Sequence, residues 1–243
     1  MTRLKGITAC LGALALTALL ATPARANLQV EIIDSLGANV FTDSATPGNI
    51  VVTFTDADFS IILQSATSNA LLGLGVAQLH NDTEATATTA GTISFCGMCG
   101  PGFNLEVLVS DTAFTMPVGS GQMLMQSVNT NTAPAAAATG SARFTGYEVS
   151  AGIFAIGAND VGPANFSSFA ATNSAVQSLG PITTTSPFTL TEVMQLDLTN
   201  TKQGQATANL TVGAVPEPAS ILLLGTVLLG LGSLLRKRVA PKS

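Results

Sequence analysis

Charge in this chain collects at its two ends, and that decides which residues can fold in water. Of the nine Lys and Arg in 243 residues, seven are terminal: Arg3, Lys5, Arg25, Arg236, Lys237, Arg238 and Lys242. Each basic cluster borders an apolar run, Ile7 to Leu20 at one end and Ile221 to Leu235 at the other. Between them, residues 27–215 hold only Arg143 and Lys202 against thirteen acids, a formal charge of −11. Nucleic-acid phosphates need Lys and Arg to neutralise them, so the body is not expected to have a nucleic-acid partner. An anionic membrane surface is disfavoured for the same reason. Cations and neutral polymers suit the body better. A chain that is 47% apolar and poor in charge also lacks the disorder signature of low hydrophobicity with high charge.

The N-terminal end has the three parts of a secretory leader. Arg3 and Lys5 precede the apolar run, Thr22-Pro23 breaks it, and Ala24-Arg25-Ala26 places small residues three and one before a cut. Cleavage is expected after Ala26, giving a mature chain that starts at Asn27, and export runs through the general secretion machinery. The alternative, a first transmembrane helix, is opposed by the short run and the small-x-small site. Ile7-Thr8-Ala9-Cys10 is not a lipobox, because most of the apolar run follows the cysteine rather than preceding it.

The C-terminal end reads Val215-Pro216-Glu217-Pro218-Ala219-Ser220, then the apolar run, then Arg236-Lys237-Arg238. Seventeen residues from Ala219 to Leu235 make a helix roughly 25 Å long, a short but feasible membrane span. Flanking Lys and Arg resist translocation, so this cluster is expected to stay inside. The two prolines remove backbone donors and hold the chain extended just before the span. Pro216, Glu217, Pro218, the span and Arg236, Lys237 and Arg238, in that order, resemble the PEP-CTERM sorting signal. The resemblance covers only about the last 28 residues and leaves a plain tail anchor as the alternative. It implies a Gram-negative host, processing by an exosortase-like membrane enzyme, and association with exopolysaccharide. The expected route is an inner-membrane-anchored precursor, then the cell surface or the extracellular space.

The body reads as all-β, an antiparallel β-sandwich of jelly-roll-like type, with one C-terminal transmembrane helix beyond it. The expected division is 1–26 signal peptide, 27–214 β-rich exported domain, and 215–243 sorting tail containing the helix 219–235. Leu28 to Ile33, Phe188 to Leu198 and Ala206 to Val212 alternate apolar and polar residues. Ile50 to Phe54 and Phe59 to Leu63 are β-branched or aromatic runs on either side of a turn at Asp56-Ala57-Asp58. Thr86 to Phe95, Leu105 to Val109 and Arg143 to Val149 are further expected strands. Glu192 intrudes on an apolar alternation and is expected at an exposed end or a bulge. Ser68 to Leu79 reads as a helix or an apolar loop, and Asn129 to Gly140 as a flexible excursion. No fixed-period repeat is present, so a β-solenoid is the second choice.

Chemistry-bearing residues are few. Cys96-Gly97-Met98-Cys99, followed by Gly100-Pro101-Gly102, reads as a disulfide closing a turn in an oxidising compartment. A redox pair would open a helix instead, and zinc would need two more ligands where His80 is the only imidazole. Asp56, Asp58, Asp82, Glu84, Asp111 and Asp160 read as loop acids, able in principle to hold calcium but more simply turn formers. No Gly-x-Ser-x-Gly elbow accompanies His80, so no catalytic residue, metal site or cofactor is assigned. Paired carboxylates for glycoside hydrolysis are not excluded, although the body offers no Trp and only Tyr147 as a large polar ring. Three Asn-x-Ser/Thr triplets, at Asn81, Asn165 and Asn209, are at chance level in so Asn- and Thr-rich a chain. The expected function is that of an exported surface or matrix structural protein, not an enzyme. The alternative is a calcium-assisted carbohydrate-binding or adhesion module.

Overall fold

The computed structural model describes residues 27–34, 37–45, 49–56, 58–70, 75–87, 96, 99–131, 140–150, 152–157, 159–167, 173–198, 203–214 and 226–228, with backbone alone for 37–45, 63–65 and 203. Twelve strands follow in order: β1 Leu28–Asp34, β2 Gly37–Ala45, β3 Asn49–Thr55, β4 Phe59–Ser68, β5 Val76–Ala87, β6 Leu105–Phe114, β7 Gly119–Asn131, β8 Ser141–Val149, β9 Asn159–Phe166, β10 Asn173–Thr184, β11 Phe188–Asp197 and β12 Gln203–Ala214. They form two six-stranded sheets, β2-β1-β6-β11-β8-β9 (sheet A) and β10-β7-β12-β5-β4-β3 (sheet B). Every pairing is antiparallel. The two sheets pack face to face as a β-sandwich. From β5 onward the chain crosses between sheets at almost every connection, so β6, β8, β9 and β11 fall in one and β5, β7, β10 and β12 in the other.

The core lies between the sheets. Sheet A contributes Leu28, Val30 and Ile32 from β1, Val107 and Val109 from β6, and Leu190, Met194 and Leu196 from β11. Sheet B contributes Phe59 and Ile61 from β4, Leu79 from β5, and Leu210 and Val212 from β12. Phe114 stacks on Phe188 at 5.4 Å between ring centroids, and Phe144 meets Phe166 edge-on at 5.8 Å. Gly146 of β8 leaves the space that Leu210 fills from the facing sheet; a Cβ there would collide with it.

Several expected strands have the expected place, including the β3–β4 turn. There Asp56 Oδ1 accepts the N–H groups of Asp58 at 2.8 Å and Phe59 at 2.7 Å, the side-chain mimicry that makes Asp a turn residue. Other expectations need correction. The strand β5 starts at Val76, inside the segment read as helix or loop, and ends at Ala87, so the expected Thr86–Phe95 strand shares only its first two residues with it. Residues 88–95 lie outside the described residues. The expected excursion from Asn129 begins within β7, which runs to Asn131.

Glu192 is neither exposed nor at a bulge. It sits mid-strand in β11, 0% exposed, paired in register with Val109 on one side and Gly146 on the other. The alternation Phe188, Leu190, Glu192, Met194, Leu196 carries it straight into the core. Gln126 Nε2, from β7 of the other sheet, donates to its Oε1 at 3.3 Å. Burial pushes the carboxyl up to about 8, against the smaller downward pull of Gln126. Its Oε2 and the Oε1 of Gln126 have no hydrogen-bond partner among the described residues. A proton on Glu192 supplies a donor where both atoms lack one, and this explains how a carboxyl persists in an apolar interior.

Candidate functional site on the outer face of sheet A

The central strands of sheet A are apolar on both faces. β6 and β11 each open with seven consecutive buried residues, the pattern of strands covered on both sides. The cover is a second small core, in which Ile33, Cys96, Cys99, Leu108 and Val193 pack with Phe103, Tyr147 and Phe154. Two segments build it. Cys96 and Cys99 are joined by a disulfide with Cα atoms 5.2 Å apart. The Cys96 N–H donates to Phe103 O at 2.9 Å and the Cys99 N–H to Cys96 Sγ at 3.0 Å. Gly100 and Gly102 take φ of +85° and +87°, which favour glycine. At Gly100 a side chain would also press on Gln195 Nε2, 3.3 Å from an ideal Cβ. The second segment, 152–157, is fastened through Phe154, whose N–H donates to the buried Ser110 Oγ at 3.2 Å.

Between these segments lies a concavity of about 200 Å³ lined by Gly100, Glu106, Leu108, Arg143, Thr145, Tyr147, Ile156, Val193 and Gln195. Its floor comes from three adjacent strands, β6, β11 and β8, which fix the spacing of its polar groups. Gln195 Nε2 donates to Cys99 O at 2.6 Å and to Glu106 Oε2 at 2.7 Å, tying the disulfide turn to the floor. Burial raises the Glu106 carboxyl; Gln195 opposes that and the charge of Glu31 adds to it. Burial also raises the Tyr147 phenol, followed by the charge of Asp160, against Thr145 and Arg143. Arg143 Nε is buried with no hydrogen-bond partner among the described residues. Ile156, 67% exposed, stands at the rim. The arrangement offers one guanidinium donor, one carboxylate acceptor, an amide and an aromatic ring, which can hold a polar ligand against an apolar floor. Among the described residues it holds no nucleophile with a base beside it.

A larger cavity, about 350 Å³, lies at one end of the sandwich beside Glu148, Ser150, Asn159, Thr183 and Thr185. Asn159 Nδ2 already occupies Glu148 Oε2 at 2.7 Å. Neither a cation nor an aromatic ring lines it among the described residues.

The other sequence candidates scatter. Only Asp56 and Asp58 of the six expected loop acids lie in a connection; Asp82 and Glu84 belong to β5, Asp111 to β6 and Asp160 to β9. Among the described residues no three His, Cys, Asp or Glu side chains converge as a metal site. His80 Nδ1 pairs with Asn209 Oδ1 at 2.7 Å across β5 and β12. Asn81 is fully buried, so its glycosylation triplet is closed in the folded chain. Ala24, Ala26, Pro216, Glu217, Pro218, Arg236, Lys237 and Arg238 lie outside the described residues, as does most of the expected 219–235 helix. No helix among the described residues is long and apolar enough to cross a membrane.

The fold and site together define an antiparallel β-sandwich with a covered, grooved outer face, its last strand ending at Ala214. The PEP-CTERM protein-sorting motif matches residues 214–238, so the tail that follows is a PEP-CTERM sorting signal. That signal marks an exported protein and implies processing by exosortase-like enzymes in general. No curated protein matches the chain in sequence. Among solved structures, a family 29 carbohydrate-binding module is 12% identical with a TM-score of 0.25, covering 81% of this chain and 97% of its own. A structure of the infectious bursal disease virus Gx strain is 15% identical with a TM-score of 0.30, covering 82% of this chain and 60% of its own.

Proposed function

We propose that this is a structural protein of the cell surface or extracellular matrix of a Gram-negative bacterium, associated with exopolysaccharide and without enzymatic activity. Residues 27–214 form the exported domain, and strands β5–β12 follow the two-sheet order of a jelly roll. The 219–235 helix holds the precursor in the inner membrane until the tail is processed. The observation that carries this reading is the sorting motif, which begins where β12 ends. The test is a fractionated immunoblot in the native host. Replacing Pro216, Glu217 and Pro218 with alanines should trap uncut precursor in the inner membrane, as should loss of the exosortase. Release equal to that of the parent would make the tail a plain anchor.

The groove favours a saccharide as what the displayed domain holds. Arg143 is one of only two cations in a body of charge −11, and its Nε is buried at the groove without a hydrogen-bond partner among the described residues. Beside it, Glu106 accepts, Gln195 positions and Tyr147 provides a ring face, groups that together match a neutral polyol better than an anion. The reading needs no calcium. In affinity electrophoresis through a neutral polysaccharide, exported protein should be retarded and the Arg143→Ala variant should not. Equal mobility of both with and without polymer would contradict it.

A further inference from the structure

Asp111 was read from sequence as a loop acid, yet the fold buries it completely on the core side of β6. Its Oδ1 accepts the backbone N–H of Asn27 at 2.9 Å. Its Oδ2 is buried without a hydrogen-bond partner among the described residues. The groups that act on it are the Ser68 hydroxyl of β4 and the N–H groups of Asn27 and Thr112, all uncharged. Asn27 stands one residue before β1, whose Gln29 lies opposite Ser110 of β6. It is also the residue at which the leader is expected to be cut.

We propose that removal of the leader after Ala26 creates a new α-ammonium on Asn27, which binds the Asp111 carboxylate as a buried ion pair and locks the start of β1 onto β6. The inference rests on the cleavage reading and goes beyond the sorting and groove proposals. Signal-peptidase hydrolysis adds water across the Ala26–Asn27 bond. The water oxygen goes to the Ala26 carbonyl carbon, which leaves as a carboxylate, and both water protons go to the Asn27 nitrogen, whose amide N–H becomes an ammonium. The amide of the precursor has one donor and no charge. The ammonium has three donors and a full charge, enough to serve both carboxylate oxygens together.

The sign of the effect follows from the carboxyl. In the uncut chain burial raises Asp111 to about 6, so its ionisation costs stability as pH rises through that range and the full cost applies above it. An ammonium beside it reverses this by favouring the charged form, and the carboxylate in turn raises the amine. The precursor is therefore the looser form at neutral pH and the cut chain the tighter one, an order suited to a chain that must cross a membrane unfolded.

The test uses the exported protein as the host processes it. Sequencing fixes the N-terminus first; a start other than Asn27 overturns the cleavage reading and the lock with it. The acylation rate of the α-amine is then followed against pH, with the N-terminal peptide read by mass spectrometry. Steric shielding lowers the plateau of that profile, whereas an ion pair moves its midpoint. The lock predicts a midpoint at least one pH unit above the usual α-amino value of about 8, so that labelling near pH 7.5 is about tenfold slower than in the urea-unfolded chain. Asp111→Asn should return the midpoint to the usual value. So should a glycine inserted before Asn27, which leaves the core side chain in place and decides the matter if the Asn variant does not fold. A mature Asn27 whose midpoint is ordinary in the parent overturns the lock alone.

Discussion

The two outer faces of the sandwich are built to opposite rules. On sheet A, β6 and β11 are buried on both sides, and their outward Leu108 and Val193 lie under the disulfide turn and the 152–157 segment. On sheet B, β7 alternates exposed and buried residues, and on the edge strand β10 Val176 stands 76% exposed. Outward polar positions there include Ser127, Ser178, Asn209 and Thr211, with cross-strand pairs such as His80–Asn209 and Thr207–Asp82. The difference lies in the cover: on sheet A the outward apolar residues of the central strands lie under two segments, whereas on sheet B outward apolar residues such as Val51, Ile62, Met125 and Val176 stand exposed among polar ones.

The largest expected effect acts on both faces at once and so sets the scale. Glu192 bonds to Gln126 across the core, so charging it should loosen the two sheets together. Its folded-state value, about 8 against a usual 4.5, means that stability is full below about pH 4.5 and falls as pH rises through 8, by at most about 5 kcal/mol at ~1.4 kcal/mol per unit. Urea denaturation from pH 5 to 9 should show this fall in the parent and a flat profile in Glu192→Gln. A fall of the same size in the Gln variant would assign the pH dependence elsewhere.

Next comes a change confined to sheet A. Leu108→Ala should cost about 2–4 kcal/mol, because its place under the cover behaves as core. Reduction of Cys96–Cys99 should cost less, about 2 kcal/mol by the loop-entropy estimate. It should also free the Gln195 amide from Cys99 O and open the groove, seen as faster hydrogen exchange at residues 99–103. The smallest effect is expected on sheet B, where Thr211→Ala should stay within about 0.5 kcal/mol. Equal costs for Leu108→Ala and Thr211→Ala would erase the contrast between the faces.

The same contrast explains what could be read from the sequence. β1, β3 and β11 were legible because most of their inward residues are Leu, Val, Ile, Phe or Met, and β12 because its inward Ala206 and Ala208 lead into Leu210 and Val212 in strict alternation with polar residues. β5 was not, since its inward set is Ala77, Leu79, Asn81, Thr83 and Ala85, small or polar at most places. β7 hides likewise, its inward Leu124 and Val128 interspersed with Gln122, Gln126 and Thr130. Asp111 read as a turn acid because Ser110-Asp111-Thr112 has turn composition, while its burial depends on β1 and β4, far away in sequence. The groove was invisible for a related reason: Glu106, Arg143, Tyr147 and Gln195 come from three strands made neighbours only by the strand order. The tail was legible because its message is linear, with a motif, an apolar run and a charge cluster in sequence.

The claim that the covered face of sheet A is the working face is tested most directly by backbone hydrogen exchange on exported protein, with and without a saturating neutral polysaccharide. The account predicts slower exchange at residues 99–108, 143–147 and 152–157, and none at 76–84 or 205–212 on sheet B. Protection confined to sheet B, or no protection on either face, would contradict it.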